Sequence, residues 1–181
     1  MTIEQTVIPK EQTSNYTAVK IIGLIADTHI PSRANSIPQG VFKAFEKVDF
    51  IIHAGDLVEL KVIDELEQIA PVLAVRGNMD VSEVKDALPR IDSLKIYDWK
   101  IGVMHDPNIM VDMNEMREIA KQNAFNVFVY GYTHNANIKW EEKALYINPG
   151  SPTNPSSFIN KCSVALLRIT KNEIKPEIIH I

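Results

Sequence analysis

At 181 residues, with a formal net charge of −4 and 45% hydrophobic residues, the chain has the size and composition of one soluble globular domain with room for a sizeable core. It has no block of Lys or Arg, which excludes dedicated binding of a nucleic-acid backbone but not of small phosphate compounds. The single cysteine, Cys162, excludes an internal disulfide; with no apolar run of membrane-spanning length and no hydrophobic signal core, a cytoplasmic protein without membrane contact is expected.

Residues 1–19 are polar and lack a period, and are read as a flexible tail ahead of a single domain over 20–181. The apolar run Ile21 to Ala26 has the β-branched content of a strand buried on both faces, and it stops at Asp27-Thr28-His29. Ligands of open α/β sheets gather at the carboxyl ends of such strands, so chemistry is expected just beyond Ala26. Turn formers from Pro31 to Pro38 precede a helix marked by Val41, Ala44, Phe45 and Val48. Asp49 to Asp56 then repeats the opening design, an apolar strand ending in Gly55 and a carboxylate; His53 on it reads as a packed or supporting residue. Val62, Ile63, Leu66, Ile69 and Ala70 define a second helix that Pro71 stops, and Val72 to Val75 is a third strand leading into Arg76-Gly77-Asn78-Met79-Asp80. This β-α-β-α-β order makes the three strands parallel and adjacent.

Leu94 to Tyr97 and Lys100 to Met104 predict a hairpin around Asp98-Trp99 whose second strand delivers His105 and Asp106. Asp112-Met113-Asn114-Glu115 resembles a capping box, after which Met113, Met116, Ile119 and Ala120 face the core as packing residues. Asn126 to Gly131 is a fifth strand, ending in Tyr132-Thr133-His134. Two further hairpins follow, Asn137 to Ile147 around Glu141-Glu142-Lys143 and Cys162 to Ile181 around Lys171-Asn172, with Cys162 read as a buried, inert thiol. The result is an α/β sandwich: a pair of mixed sheets, helices outside, and polar strand ends converging on one edge.

Those ends carry Asp27, His29, Asp56, Asn78, His105 and His134, more donors than one tetrahedral metal needs. Carboxylate and neutral imidazole together suit a borderline divalent cation, and two ions about 3.5–4 Å apart sharing a carboxylate would use the whole set. Such a pair suits in-line attack on phosphorus.

In order and spacing, six motifs make this chain resemble the calcineurin-like metallophosphoesterases, and among them the small single-domain phosphodiesterases of bacteria and archaea. They are D-T-H at Asp27 to His29, G-D at Gly55-Asp56, G-N-M-D at Gly77 to Asp80, the isolated His105, G-Y-T-H at Gly131 to His134, and I-N-P-G-S at Ile147 to Ser151. The resemblance implies a metallophosphoesterase-type β-sandwich of two mixed sheets flanked by helices. It further implies two divalent ions of the Mn, Ni, Fe or Zn kind, Asp27, His29, Asp56 and His134 on the first, Asp56 bridging, and Asn78 and His105 on the second. A hydroxide bridging the metals would be the nucleophile; Asp56, Asn78 and His105 are then the catalytic residues, with Asp80 orienting a neighbour from behind.

Two departures fall on the second ion. The family usually has G-H-x-H where this chain has Tyr132, and commonly H-G-H where it has His105-Asp106-Pro107. Either Tyr132 ligates as phenolate, or Asp106 supplies the missing donor, or the second ion is held weakly; the last two are preferred, because a phenol of pKa near ~10 must first lose its proton. Met79 replaces the His that often serves as the leaving-group acid, so good leaving groups should be favoured. Asn78, through its NH₂, and Arg33, in the loop beyond His29, are the expected substrate contacts.

The expected activity is therefore hydrolysis of small phosphodiesters, a small phosphate ester being the partner and homo-oligomerisation being left open. The competing reading is a weak or inactive scaffold that binds partner proteins: D-x-H-I-P-x-R over Asp27 to Arg33 also resembles the first loop of a retromer subunit with this fold.

Overall fold

The computed structural model describes residues 18–106, 113–141, 143–157 and 161–181. Most of the expected N-terminal tail, and Asp112 of the expected helix cap, lie outside these residues. In chain order the first half comprises β1 (Lys20–Ile25), α1 (Gln39–Phe45), β2 (Phe50–His53), α2 (Lys61–Glu67), β3 (Val72–Ala74), α3 (Ser82–Ala87), β4 (Ile91–Ile96) and β5 (Trp99–Met104). The second half comprises α4 (Met113–Gln122), β6 (Val127–Val129), β7 (Asn137–Glu141), β8 (Ala144–Asn148), β9 (Ser163–Ile169) and β10 (Ile174–His180).

Two five-stranded sheets result, ordered β10-β9-β1-β2-β3 and β4-β5-β6-β8-β7. As expected, β1, β2 and β3 are parallel neighbours, with Leu24 opposite Ile52 and Ile52 opposite Leu73. In the second sheet β5, β6 and β8 are parallel, and the edges β4 and β7 run antiparallel. Both sheets are therefore mixed, and their parallel strands send their carboxyl ends to one side.

Strand alternation assigns each side chain its layer. From β1, Ile22 and Leu24, and just beyond it Ala26, enter the core between the sheets, where they meet Ile101, Val103, Val127, Val129, Leu145 and Ile147 of the second sheet. Ile25 points the other way, into a layer with Val41 and Phe45 of α1 and Val62 and Leu66 of α2. The outer face of the second sheet packs Phe128, Tyr130 and Tyr146 against Met116 and Ala120 of α4. β1 is thus covered on both faces, which explains its unbroken apolar run.

Three local expectations are corrected. The helix α3 was not expected; of its six residues only Val84 is buried, too little to leave a periodic signal. The β4–β5 turn is Tyr97-Asp98, one residue earlier than expected, since Trp99 pairs with Ile96 and Tyr97 takes a φ of 55°. Cys162 is half-buried rather than buried, because β9 begins one residue after it.

Candidate metal centre

Three chain crossings bring the polar ends together. Beyond β1 and β2 the two strands remain bonded: the Asp27 amide donates to the Gly55 carbonyl (3.0 Å) and the His29 amide to the Asp56 carbonyl (3.0 Å). The second sheet joins through the Tyr132 amide, which donates to Asp27 Oδ1 at 3.2 Å, while the Gly131 amide, donating to the His105 carbonyl at 3.0 Å, keeps the ends of β5 and β6 together. Asp27, His29, Asp56, Tyr132 and His134 all adopt positive φ, between 46° and 71°, so each backbone turns sharply to aim its side chain at a common point.

At that point Asp27 and Asp56 lie among three imidazoles. The Nε2 of His134 is 3.3 Å from Asp27 Oδ1 and 3.1 Å from Nε2 of His29. The Nε2 of His105 is 3.2 Å from Asp56 Oδ2 and 3.1 Å from Asn78 Oδ1. Asp56 Oδ2 is also 3.7 Å from His29 Nε2, so this carboxylate faces both halves. Among the described residues, two groups have donor atoms close enough together to hold a cation: Asp27, His29 and His134, and Asp27, Asp56 and His105. Asp27 is common to both. Every expected ligand is therefore in the cluster, including Asn78.

The chemistry of the donors fits a cation. His105 Nδ1 donates to the Ala54 carbonyl at 2.8 Å and His134 Nδ1 to the Asn154 carbonyl at 2.5 Å, which in the neutral rings leaves each Nε2 lone pair turned to the carboxylates. Asp27 Oδ2 is buried and accepts no hydrogen bond, a costly state for a carboxylate unless positive charge sits beside it. Space is as tight as a cradle requires: a Cβ on Gly77 would stand 2.1 Å from Asp56 Oδ1, and one on Gly131 2.9 Å from Asp27 Oδ2.

Electrostatics follow from this crowding. Burial alone would depress His105, but its bond to Asp56 and the charges of Asp27 and Asp56 outweigh burial and raise its pKa to about 9. His134 rises for the same reasons, with Asp27 as its main partner, while His29 falls because burial dominates. Burial pushes Asp56 up, but His105 and the Met79 amide, which donates to Asp56 Oδ1 at 2.7 Å, bring it below the ordinary carboxylate range.

The surrounding side chains fix these loops. Asp80 is buried and accepts from the amides of Val58 and Gly77, both at 2.6 Å, tying the loop after Asp56 to the turn that carries Asn78. His53 is fully buried: its Nδ1 accepts from the Gly55 amide (3.2 Å), so Nε2 carries the proton and donates to Thr28 Oγ1 (3.1 Å). The sequence reading gave no role to four other supports. Ser151 Oγ donates to the Asp27 carbonyl at 2.7 Å and Thr153 Oγ1 to the Thr28 carbonyl at 2.8 Å. Asn148 Nδ2 donates to the Gly131 carbonyl at 2.8 Å, and Asn154 holds His134 as above. The motif Ile147 to Ser151 contained the signal, because small polar residues beside Pro and Gly at a strand end are turn and brace chemistry.

The model of the calcineurin-like phosphoesterase superfamily domain matches residues 21–172. The chain belongs to this superfamily. It is 39% identical over 160 residues to a probable metallophosphoesterase of Methanothermobacter thermautotrophicus, covering 88% of this chain and 91% of that one. It is 32% identical over 139 residues to a phosphodiesterase of Methanocaldococcus jannaschii, covering 71% and 82%. Among solved structures, vacuolar protein sorting 29 of Cryptosporidium parvum shares the fold with a TM-score of 0.75 at 18% identity, covering 90% of this chain and 98% of that one.

Calcineurin-like phosphoesterases depend on divalent metal, and the cluster supplies candidate ligands for it. Of the three departures noted in the sequence, two, Tyr132 and Asp106, flank His105. The Tyr132 ring meets it edge-on, with centroids 5.9 Å apart, and Asp106 lines a crevice of about 200 Å³ with His105, Asn78, Arg76 and Arg90. Arg33 lines a second crevice, of about 270 Å³, with His29, Asp56, Asn78, Tyr132 and His134. No described helix is long and apolar enough to cross a membrane.

Proposed function

We propose that the protein is a metal-dependent phosphodiesterase acting on small phosphodiesters. The observation that carries this reading is the pair of three-residue donor groups that share Asp27, whose Oδ2 is buried and accepts no hydrogen bond. In this reading Asp27, His29 and His134 would hold one divalent cation and His105 and the Asn78 amide oxygen another, with the carboxylates of Asp27 and Asp56 placed to serve both. Bound cations of the Mn, Ni, Fe or Zn kind would activate water and neutralise charge on the phosphoryl group.

The chain's own residues supply the rest. His105 and His134 are held by backbone carbonyls in the tautomer that ligates. Asn78, exposed and lining both crevices, turns its oxygen to His105 and leaves its NH₂ for a phosphate oxygen, which a carboxylate would repel. Arg33, at the crevice rim, provides a planar fork for a second phosphate oxygen. Asp106 is preferred to Tyr132 as an extra oxygen donor of the second site, because a phenol must first lose its proton to ligate; without that donor the second ion is held weakly. Met79 cannot donate a proton, so leaving groups that depart without help are favoured.

Hydrolysis of bis(p-nitrophenyl) phosphate with added manganese tests the proposal. Turnover that disappears with chelator, and falls by at least about 10²-fold in His105→Ala and Asp56→Asn, is the expected outcome. A folded, metal-loaded protein that hydrolyses neither this ester nor an alkyl diester would favour the scaffold reading, which the fold shared with vacuolar protein sorting 29 supports.

A further inference from the structure

Six large apolar side chains are exposed among the described residues, and two of them, Met79 (56%) and Tyr132 (37%), line the same crevice as His29, Asp56 and His134. Their placement is not that of loose surface residues. The Met79 amide donates to Asp56 Oδ1 at 2.7 Å and the Tyr132 amide to Asp27 Oδ1 at 3.2 Å, so each is pinned by its own backbone to one of the two central carboxylates. Tyr132 is further fixed by a φ of 71° and by the edge-on contact of its ring with His105. They arrive from different sheets, Met79 after β3 and Tyr132 after β6. The crevice between them, about 270 Å³, is at the small end for a ligand pocket and accommodates one ring beside a phosphoryl group rather than a polymer.

We propose that Met79 and Tyr132 are apolar walls that select phosphate esters carrying a flat aromatic ring close to phosphorus. This rests on the hydrolase reading, in which Asn78 and Arg33, lining the same crevice, receive the phosphoryl oxygens. A polarizable thioether and a phenol ring present suitable faces to such a ring, and burying both against it removes apolar surface from water at the only moment the substrate is bound. Leaving-group chemistry alone would also favour aryl esters in turnover, so the selection is read in binding.

Phenylphosphonate and methylphosphonate, which differ in the ring and have no ester bond to cleave, are titrated calorimetrically into the full chain with manganese present. The ring should tighten binding about five- to tenfold in the wild type and in Tyr132→Phe, and the ratio should fall towards one in Tyr132→Ala and Met79→Ala, with methylphosphonate affinity kept within about twofold. A ratio near one in the wild type, a ratio unchanged in both alanine variants, loss of the ratio in Tyr132→Phe, or no binding of either phosphonate would overturn the proposal. Met79→Ala, at an exposed position, serves if Tyr132→Ala does not fold. A protein that keeps the ratio but hydrolyses no ester refutes the hydrolase reading and leaves the walls standing; one that hydrolyses esters with a ratio near one refutes the walls alone.

Discussion

Five non-glycine residues of one site at positive φ represent stored strain, on the order of 1–3 kcal/mol each, that the surrounding bonds must offset. His53 is the clearest of these supports, and it has a pH signature. Burial, reinforced by His105, lowers its pKa to about 3, and its Nδ1 must stay unprotonated to accept from Gly55. In the unfolded chain the ring titrates near ~6.5, so between that pH and the folded value only the unfolded state takes up the proton. The stability His53 provides is therefore complete above about pH 6.5 and declines as pH falls. In urea denaturation, His53→Gln should be destabilised at pH 7.5, and its gap to the wild type should narrow by about 2 kcal/mol at pH 5; parallel pH curves would contradict this. The clustered donor residues Asp27, His29, Asp56, Asn78, His105 and His134 were legible in the sequence because each follows an apolar run. The supports were not, because Ser151 acts on a carbonyl 124 residues away and no local pattern encodes that distance.

At the scale of elements, the turn after β8 is the brace of the site. Asn148 holds the loop after β6, while Ser151 and Thr153 hold the loop after β1, so one turn links the ends of both sheets. Ser151→Ala removes the donor to the Asp27 carbonyl and the acceptor of the Asn154 and Thr153 amides, and should cost about 1–3 kcal/mol in stability, while turnover of bis(p-nitrophenyl) phosphate by the folded variant should drop by roughly 10- to 100-fold as the Asp27 loop loses its register. Unchanged turnover in the folded variant would reduce Ser151 to a packing residue. Strands with long apolar runs, such as β1 and β9, could be read directly, since burial on both faces leaves no other composition. The short α3 could not, because with one buried side chain its helix owes more to the bonds from the Lys85 and Leu88 amides back to the Val81 and Val84 carbonyls than to an apolar stripe.

For the whole molecule, the sandwich brings together donors that are far apart in sequence: His29 and His134 touch across 105 residues. That two mixed sheets would form could be read from strand order, but the insertion of β9 beside β1, antiparallel, could not, since it depends on which sheet the last hairpin joins. Because the candidate donors belong to both sheets, a bound cation would link them, and a cation that binds only the folded chain must stabilise all of it. Metal at about 100 times its dissociation constant should raise the thermal midpoint of the chelator-treated protein by roughly 5–10 °C, and the rise should vanish in Asp27→Asn. An equal rise in that variant would place the binding elsewhere. The most direct test is elemental analysis of the purified full chain after manganese loading and gel filtration. We predict between about one and two divalent ions per folded wild-type chain, and a marked fall in Asp27→Asn and Asp56→Asn. A folded wild-type chain that retains no metal would contradict the account.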